Sequence, residues 1–157
     1  MYKRQAGNSS ALVDGAAAAV VVHGGYLREH GLHALARLRG AAAAGVPPEI
    51  MGIGPVPAIQ ALLQRAGLRL DEIGLFEVNE AQGAQTLAVA RELEIDLDRL
   101  NVNGGAIAIG HPLAATGVRA TLTLARELRR RGLRYGIASA CVGGGQGMAL
   151  LIENPDA

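Results

Sequence analysis

Residues 103–117 read NGGAIAIGHPLAATG, a glycine-rich loop with one His-Pro pair that leads into the clearest predicted helix of the chain. Pro112 disfavours the α conformation for the residue before it, so His111 is predicted to be extended just ahead of that helix. An imidazole placed there can act as a base, an acid or an N–H donor. The alternative is a half-buried structural histidine in a tight loop, and the residues alone leave both open.

Helices and strands are predicted to alternate on both sides of this loop. Apolar residues at three- and four-residue spacing, with proline or glycine at the ends, predict helices over residues 57–66, 80–94 and 115–131, and a partly helical stretch at 28–39. Short apolar runs predict strands at residues 16–22, 75–78, 135–140 and 146–153. The last two strands are joined too tightly for a crossover, so they should be antiparallel. This order predicts an α/β domain with a mixed sheet.

Composition excludes several classes of protein. The chain has 157 residues, of which half are hydrophobic and only 3% aromatic. Its net charge of +1 does not indicate binding to nucleic acid or to an anionic membrane. No apolar run approaches the roughly 18 residues of a membrane span. Its single cysteine cannot form an internal disulfide, which favours a reducing, cytoplasmic location.

Residues 1–5, MYKRQ, share no pattern with the rest of the chain. Tyr-Lys-Arg-Gln is also what TATAAGAGACAG, the end of a sequencing-library adapter, encodes in one frame. We therefore expect residues 1–5 to be a non-native scar and the chain to be the back part of a longer protein. The alternative is a short native N-terminus.

Two further positions are candidates for chemistry. Cys141 ends an apolar strand and begins a glycine run, where backbone N–H groups can point inward; alternatively it is a small buried hydrophobe. Asn79 follows a strand and precedes a helix, so it is either an N-cap or an amide that orients water or substrate. Cys141 and His111 could also form a cysteine–histidine pair, although sequence separation does not establish contact.

Other site types fit the sequence poorly. Residues 143–147, GGGQG, do not match G-x-G-x-x-G and lead into a strand, so the dinucleotide and P-loop interpretations fail. The histidines and the cysteine lack close metal-ligand spacing, so no metal site is predicted. Arginines at the end of the long helix are most simply a solvated helix terminus.

Several separated segments, in this order, resemble the signatures of the thiolase family. Residues 79–81 are similar to its NEAF segment, and residues 103–117 to its NGGAIALGHPLGASG signature. Residues 141–147, CVGGGQG, resemble its C-x-G-G-G-x-G signature, and residues 6–10 with 14–17 resemble its AGNAS…DGAAA stretch. The resemblance runs from residue 6 to residue 153, nearly the whole chain.

The resemblance implies a fold and a domain division. The expected fold is the thiolase-like layered α/β fold, with a mixed five-stranded-type sheet and helices on both faces. Residues 6–34 would be the end of the CoA-binding loop region and the last strand and helix of a truncated N-terminal domain. Residues 35–157 would be the C-terminal domain. The apolar run at residues 16–22 would then be an orphan strand that exposes apolar surface.

The resemblance also implies roles in acyl transfer between CoA thioesters, by Claisen condensation or its thiolytic reverse. Cys141 would be the acid/base thiol for the second substrate. His111 would activate the nucleophile and donate to a thioester oxygen, and Asn79 would hold the water that completes that oxyanion site. The N–H of Gly143 would contribute to the other oxyanion hole. Fixed donors of this kind are worth roughly 3–4 kcal/mol each.

Substrate binding follows from the same resemblance. Ser10 matches the serine that contacts the CoA pantetheine, with Ala6 beside it. A CoA thioester is therefore the expected substrate, with no bound prosthetic group, and a homodimer or homotetramer is expected for the full-length protein. The partners expected are acyl-CoA molecules, with neither nucleic acid nor membrane.

The sequence departs from the family in two places. Gln82 stands where the family has an aromatic residue, which alters a wall of the acyl pocket. The family's nucleophilic cysteine lies in its N-terminal half, whereas Cys141 is the only cysteine here. We therefore expect this chain alone to be inactive. Two rivals are a non-catalytic thiolase-like binding or interaction module and a cysteine hydrolase that uses Cys141 and His111.

Overall fold

One mixed sheet organises the chain in a computed structural model, which describes residue 5 and residues 7–157. Within these residues the sheet has four strands, in the order β1-β4-β3-β2: β1 Arg37–Gly45, β2 Ile73–Val78, β3 Tyr135–Val142 and β4 Gln146–Glu153. β4 is antiparallel to both β1 and β3, and β2 is parallel to β3. The prediction that the last two strands pair antiparallel is therefore confirmed.

Helices of very different length connect the strands. The α-helices are α1 Gly24–Glu29, α2 Pro55–Ala66, α3 Gly83–Glu92, α4 Ala106–Ile109 and α5 Leu113–Arg131. Short 3-10 helices lie at Pro48–Ile53, Leu70–Glu72 and Leu97–Arg99. The three long helices are those that the apolar spacing predicts, with boundaries that differ by a few residues.

Apolar side chains pack on both faces of the sheet. On one face, α2 and α3 contribute to a cluster with Ile59, Leu62 and Val89, which meets Phe76 of β2. On the other face, α5 packs with Leu124 and its neighbours against a second cluster of sheet residues. Helices on both faces of a mixed sheet confirm the predicted α/β class.

The sheet differs from the expected five strands at the outer edge of β2. A fifth segment begins there, because Leu100 forms a parallel bridge to Phe76 and the Asn101 N–H donates to the Phe76 carbonyl at 2.9 Å. Asn101 then takes a left-handed conformation, with φ of 48°, which turns the chain away from the edge. The fifth position is therefore occupied by a single bridge rather than by a strand.

Residues 28–45 are where the predicted elements are wrong. The partly helical stretch predicted over 28–39 is limited to the end of α1, and β1 begins at Arg37. The sequence RLRGAAAAG of β1 carries little apolar periodicity, and alanine is not a strand former. Pairing with β4 along its whole length overrides that weak local preference.

The run at residues 16–22 does not form the predicted strand. It has no regular secondary structure and no strand pairing, and its valines are exposed, Val20 at 91% and Val21 at 74%. The strand prediction is wrong because no neighbouring strand satisfies its backbone groups among the described residues. The predicted exposure of apolar surface is confirmed.

The direction of α5 decides which groups meet at the end of the sheet. Gly136, near the start of β3, lies against Leu124 and Leu128 in the second half of α5. The helix therefore runs antiparallel to β2 and β3, as in a βαβ crossover, and its first residue lies at their carboxyl ends. Loops at that edge are where open α/β sheets usually hold their ligands.

Candidate active site

Asn79 and Cys141 lie at the carboxyl ends of two adjacent parallel strands. The Asn79 N–H donates to the Ser139 carbonyl at 2.9 Å, which continues the β2–β3 ladder past Val78. Asn79 is 4% exposed, and its Oδ1 has no hydrogen-bond partner among the described residues. The N-cap interpretation is wrong, because α3 begins at Gly83 with Gln82 as its N-cap. A buried amide oxygen without a partner is costly and points to a ligand or water.

Asn101 and Glu80 hold the loops around Asn79 in place. The Asn101 side chain bonds both backbone groups of Val78, at 2.8 and 2.9 Å, and its Nδ2 also donates to Glu80 Oε1. The other Glu80 oxygen accepts from the backbone N–H of Ile107 at 3.0 Å. The glycine-rich loop is therefore tied by a carboxylate to the end of β2.

His111 is fixed by both its backbone and its ring. Its N–H donates to the Ala11 carbonyl at 2.8 Å, within a bridge to Leu12, and its Nδ1 lies 2.6 Å from the Thr116 hydroxyl. Gly110, with φ of 88°, makes this possible, because a Cβ there would lie 2.5 Å from the Val13 side chain. His111 is thus extended immediately before α5, as Pro112 predicts.

The segment that contains Ser10 joins the two sides of the site. Ser9 bridges Gln82, and the Ser10 N–H donates to the Ala81 carbonyl at 3.3 Å. Two residues later, Leu12 bridges His111. Ser10 is therefore located between the loop that follows Asn79 and the histidine. Ala6, the other predicted CoA contact, lies outside the described residues.

Cys141 and Gly143 lie where β3 turns into β4. Cys141 is partly buried opposite Gly147, and burial raises the pKa of its thiol. Gly143 is exposed in the turn, and Gly145 follows with φ of 90°. A side chain on Gly145 would collide with the backbone of Val46, so this corner depends on glycine.

The fold brings the predicted residues to one edge of the sheet. Asn79, Cys141 and Gly143 come from the ends of β2 and β3, and His111 from the start of the helix packed on them. Ser10 reaches the same edge through its bridging segment. Sequence spacing alone could not establish this meeting, because it depends on the direction of α5.

Two buried polar residues near this edge, Thr116 and Glu77, were not predicted from the sequence. Thr116 contacts the histidine ring, and Glu77 of β2 lies 3.5 Å from the Arg119 guanidinium. Burial raises the pKa of Glu77 to about 7, although Arg119 opposes the shift. The signal for Glu77 was present, as a carboxylate inside the apolar run IGLFEV. The signal for Thr116 was its place in residues 103–117, where it stands at the serine of the NGGAIALGHPLGASG signature.

Neither a metal cluster nor a membrane helix is found in the described part of the chain. There is no group of three or more His, Cys, Asp or Glu side chains there that could hold a metal ion. None of the helices within residues 7–157 has the length and apolar character needed to span a bilayer.

Comparison with known proteins identifies the family. The sequence model described as "Thiolase, C-terminal domain" matches residues 32–154. The chain belongs to the thiolase family. The resemblance of its glycine-rich and cysteine signatures is thereby confirmed.

Two curated thiolase relatives show what share of a full-length thiolase this chain spans. Human mitochondrial 3-ketoacyl-CoA thiolase is 51% identical over 149 residues, which are 95% of this chain and 38% of that protein. Escherichia coli K12 acetyl-CoA acetyltransferase is 51% identical over 148 residues, 94% of this chain and 38% of the relative. The chain therefore spans about two fifths of the length of these thiolases.

Solved thiolase structures confirm the fold. The Bacillus anthracis acetyl-CoA acetyltransferase aligns with a TM-score of 0.92 at 51% identity, covering 94% of this chain and 38% of that one. Human mitochondrial 3-ketoacyl-CoA thiolase in complex with CoA aligns with a TM-score of 0.88 at 45% identity, covering 96% and 38%. The layered thiolase fold is thus shared in three dimensions as well as in sequence.

Proposed function

We propose that the chain is the C-terminal part of an acyltransferase that forms or cleaves a carbon–carbon bond between CoA thioesters. The observation that carries the proposal is the meeting of Asn79, His111 and Cys141 at one edge of the sheet. The names of its relatives, 3-ketoacyl-CoA thiolase and acetyl-CoA acetyltransferase, support the same reaction.

Cys141 is proposed as the acid/base thiol rather than the nucleophile. In the condensation its thiolate removes a proton from the α-carbon of an acetyl-CoA, and the carbanion attacks an acyl group held as a thioester on another thiol. That attack forms the C–C bond and releases the other thiol as the leaving group. The burial that raises the Cys141 pKa makes its thiolate a stronger base.

We propose two sets of hydrogen-bond donors near Cys141, one for each thioester oxygen that gains negative charge. The His111 Nε2–H and a water held by Asn79 would stabilise charge on the oxygen of the enolising thioester. The Gly143 N–H would serve the thioester oxygen of the acylated thiol. The unpartnered Oδ1 of Asn79 supports a water at that position, because a bound water would satisfy it.

Coenzyme A binding is proposed along the segment that joins the two sides of the site. Ser10 would contact the pantetheine arm, with Ala6 beside it. The neighbour solved with CoA supports a CoA thioester as the substrate. Gln82, half-buried at the start of α3, would alter the acyl pocket and so the preferred chain length.

The nucleophilic thiol is proposed to come from outside these 157 residues, because Cys141 is the only cysteine. The chain alone is then inactive, and turnover requires the upstream half. We further propose a cytoplasmic, homo-oligomeric full-length protein without a prosthetic group.

Acetoacetyl-CoA thiolysis tests the proposal. The chain alone should give no turnover above background. A fusion of residues 6–157 behind the upstream part of the Bacillus anthracis acetyl-CoA acetyltransferase should give turnover, and Cys141→Ser should lower it by at least a hundredfold. Val142→Ala, one residue along in the same strand, is the matched control and should leave turnover nearly unchanged.

Three outcomes would contradict parts of this proposal. Turnover by the chain alone, with acyl label on Cys141, would make Cys141 the nucleophile. A folded fusion that binds CoA without turnover would favour the non-catalytic binding module. Hydrolysis of thioesters without transfer to CoA would favour the cysteine hydrolase.

A further inference from the structure

The partner of the His111 ring is a hydroxyl group. Nδ1 lies 2.6 Å from Thr116 Oγ1, while Nε2 has no hydrogen-bond partner among the described residues. Thr116 is 3% exposed, so water does not compete for this contact. Its place in the first turn of the 19-residue α5 gives the hydroxyl a rigid base.

A hydroxyl differs from the usual partners of a functional histidine. A carboxylate or backbone carbonyl only accepts, so it holds the proton on Nδ1 and leaves Nε2 an acceptor. A threonine hydroxyl can either donate to Nδ1 or accept from it. When it accepts, its own proton can turn to a helical carbonyl, and that of Pro112 lies four residues earlier.

We propose that Thr116 is a positioning residue that lets the neutral His111 ring exchange tautomers without moving. When the hydroxyl donates to Nδ1, Nε2 carries the proton and is a hydrogen-bond donor. When the hydroxyl accepts from Nδ1–H, Nε2 is unprotonated and is a base. The inference rests on the proposed function, in which His111 donates to a thioester oxygen, and on the role that the family resemblance adds, in which the same ring activates the nucleophilic thiol by taking its proton.

The ring nitrogens report the tautomer directly by ¹⁵N NMR. Spectra of the 157-residue chain are recorded over a series of alkaline pH values, and the tautomers are assigned where the ring ¹⁵N shifts no longer change with pH. His111→Gln assigns the signal among the four histidines. We expect averaged Nδ1 and Nε2 shifts that indicate two populated tautomers, retained in Thr116→Ser and collapsed to one tautomer in Thr116→Val.

The two variants separate the effect of the Thr116 hydroxyl on the tautomers from the effect of the side chain's shape. Valine keeps the shape of threonine and removes the hydroxyl, whereas serine keeps the hydroxyl and removes the methyl group. A single tautomer in the unaltered chain would overturn the inference even if Thr116→Val does not fold. Two tautomers that persist in a folded Thr116→Val would overturn it as well.

This test is independent of turnover. If the fusion described above fails to cleave acetoacetyl-CoA, the proposed function fails while the tautomer exchange is still measured. If the fusion is active and the ring has one tautomer, only the role of Thr116 fails.

Discussion

Two short apolar runs in this chain have opposite fates. Residues 16–22, AAAAVVV, form no regular secondary structure and are largely exposed, whereas β2, with the sequence IGLFEV, is buried at almost every position. Both have the length and composition of a buried strand. The difference lies in what surrounds each run rather than in the run itself.

Backbone partners explain the difference. β2 pairs with β3 on one side and meets Leu100 on the other, and helices cover both of its faces. Residues 16–22 have neither strand pairing nor a covering layer among the described residues. A strand is stable only when neighbours satisfy its backbone groups and bury its side chains.

The largest change in stability is expected when a core side chain of β2 is removed. Phe76 is 1% exposed and packs in the cluster beneath α2 and α3. Phe76→Ala should lower the free energy of unfolding by about 3–5 kcal/mol, because it removes apolar contact and leaves a cavity. Urea denaturation followed by circular dichroism measures this change.

A matched pair of valines sharpens the contrast between the two runs. Val78→Ala in β2 should cost about 2 kcal/mol, whereas Val21→Ala in the exposed run should change stability by less than about 0.5 kcal/mol. Equal losses at the two positions would show that residues 16–22 are packed in solution.

A smaller, pH-dependent change in the free energy of unfolding is expected from Glu77, the buried carboxylate of β2. The pKa of Glu77 is raised to about 7 in the folded protein, from an ordinary value of 4.5. Between these two pH values the folded state therefore keeps a proton on Glu77 that the unfolded chain has lost. That contribution is fully present below pH 4.5 and is lost as the pH rises through 7. Glu77→Gln should flatten the fall in unfolding free energy over this range, by at most about 3 kcal/mol.

Glu127 provides the control because its shift has the opposite sign. Hydrogen bonds from Arg130 lower its pKa to about 2, so its contribution is present above pH 4.5 and lost as the pH falls towards 2. Glu127→Gln should alter stability in that acidic window and change the slope between pH 4.5 and 7 only slightly, because the Glu127 charge is the smallest of the causes that raise the Glu77 pKa. An unaltered slope in Glu77→Gln would show that Glu77 titrates normally.

The sequence predicted those parts of the fold that have strong local patterns. Local apolar patterns are enough to predict six elements. Apolar stripes indicate the helices α2, α3 and α5, and short apolar runs indicate the strands β2, β3 and β4. β1 was missed, because its arginines, glycines and alanines become a strand only through pairing with β4. Likewise, the sequence left Asn79 as either a helix cap or a site residue, and the cap was excluded only when α3 was seen to begin at Gly83.

The smallest effect on folding is expected in the exposed run, where association should change instead. Val20→Asp combined with Val21→Asp should alter the free energy of unfolding by less than about 0.5 kcal/mol, because neither side chain is packed. The same change should reduce self-association in sedimentation velocity, since charge on an exposed apolar segment opposes intermolecular strand pairing. Ile50→Asp combined with Leu97→Asp, on two exposed residues elsewhere, adds the same charge and is the control. If it reduces association equally, net charge rather than residues 16–22 governs association.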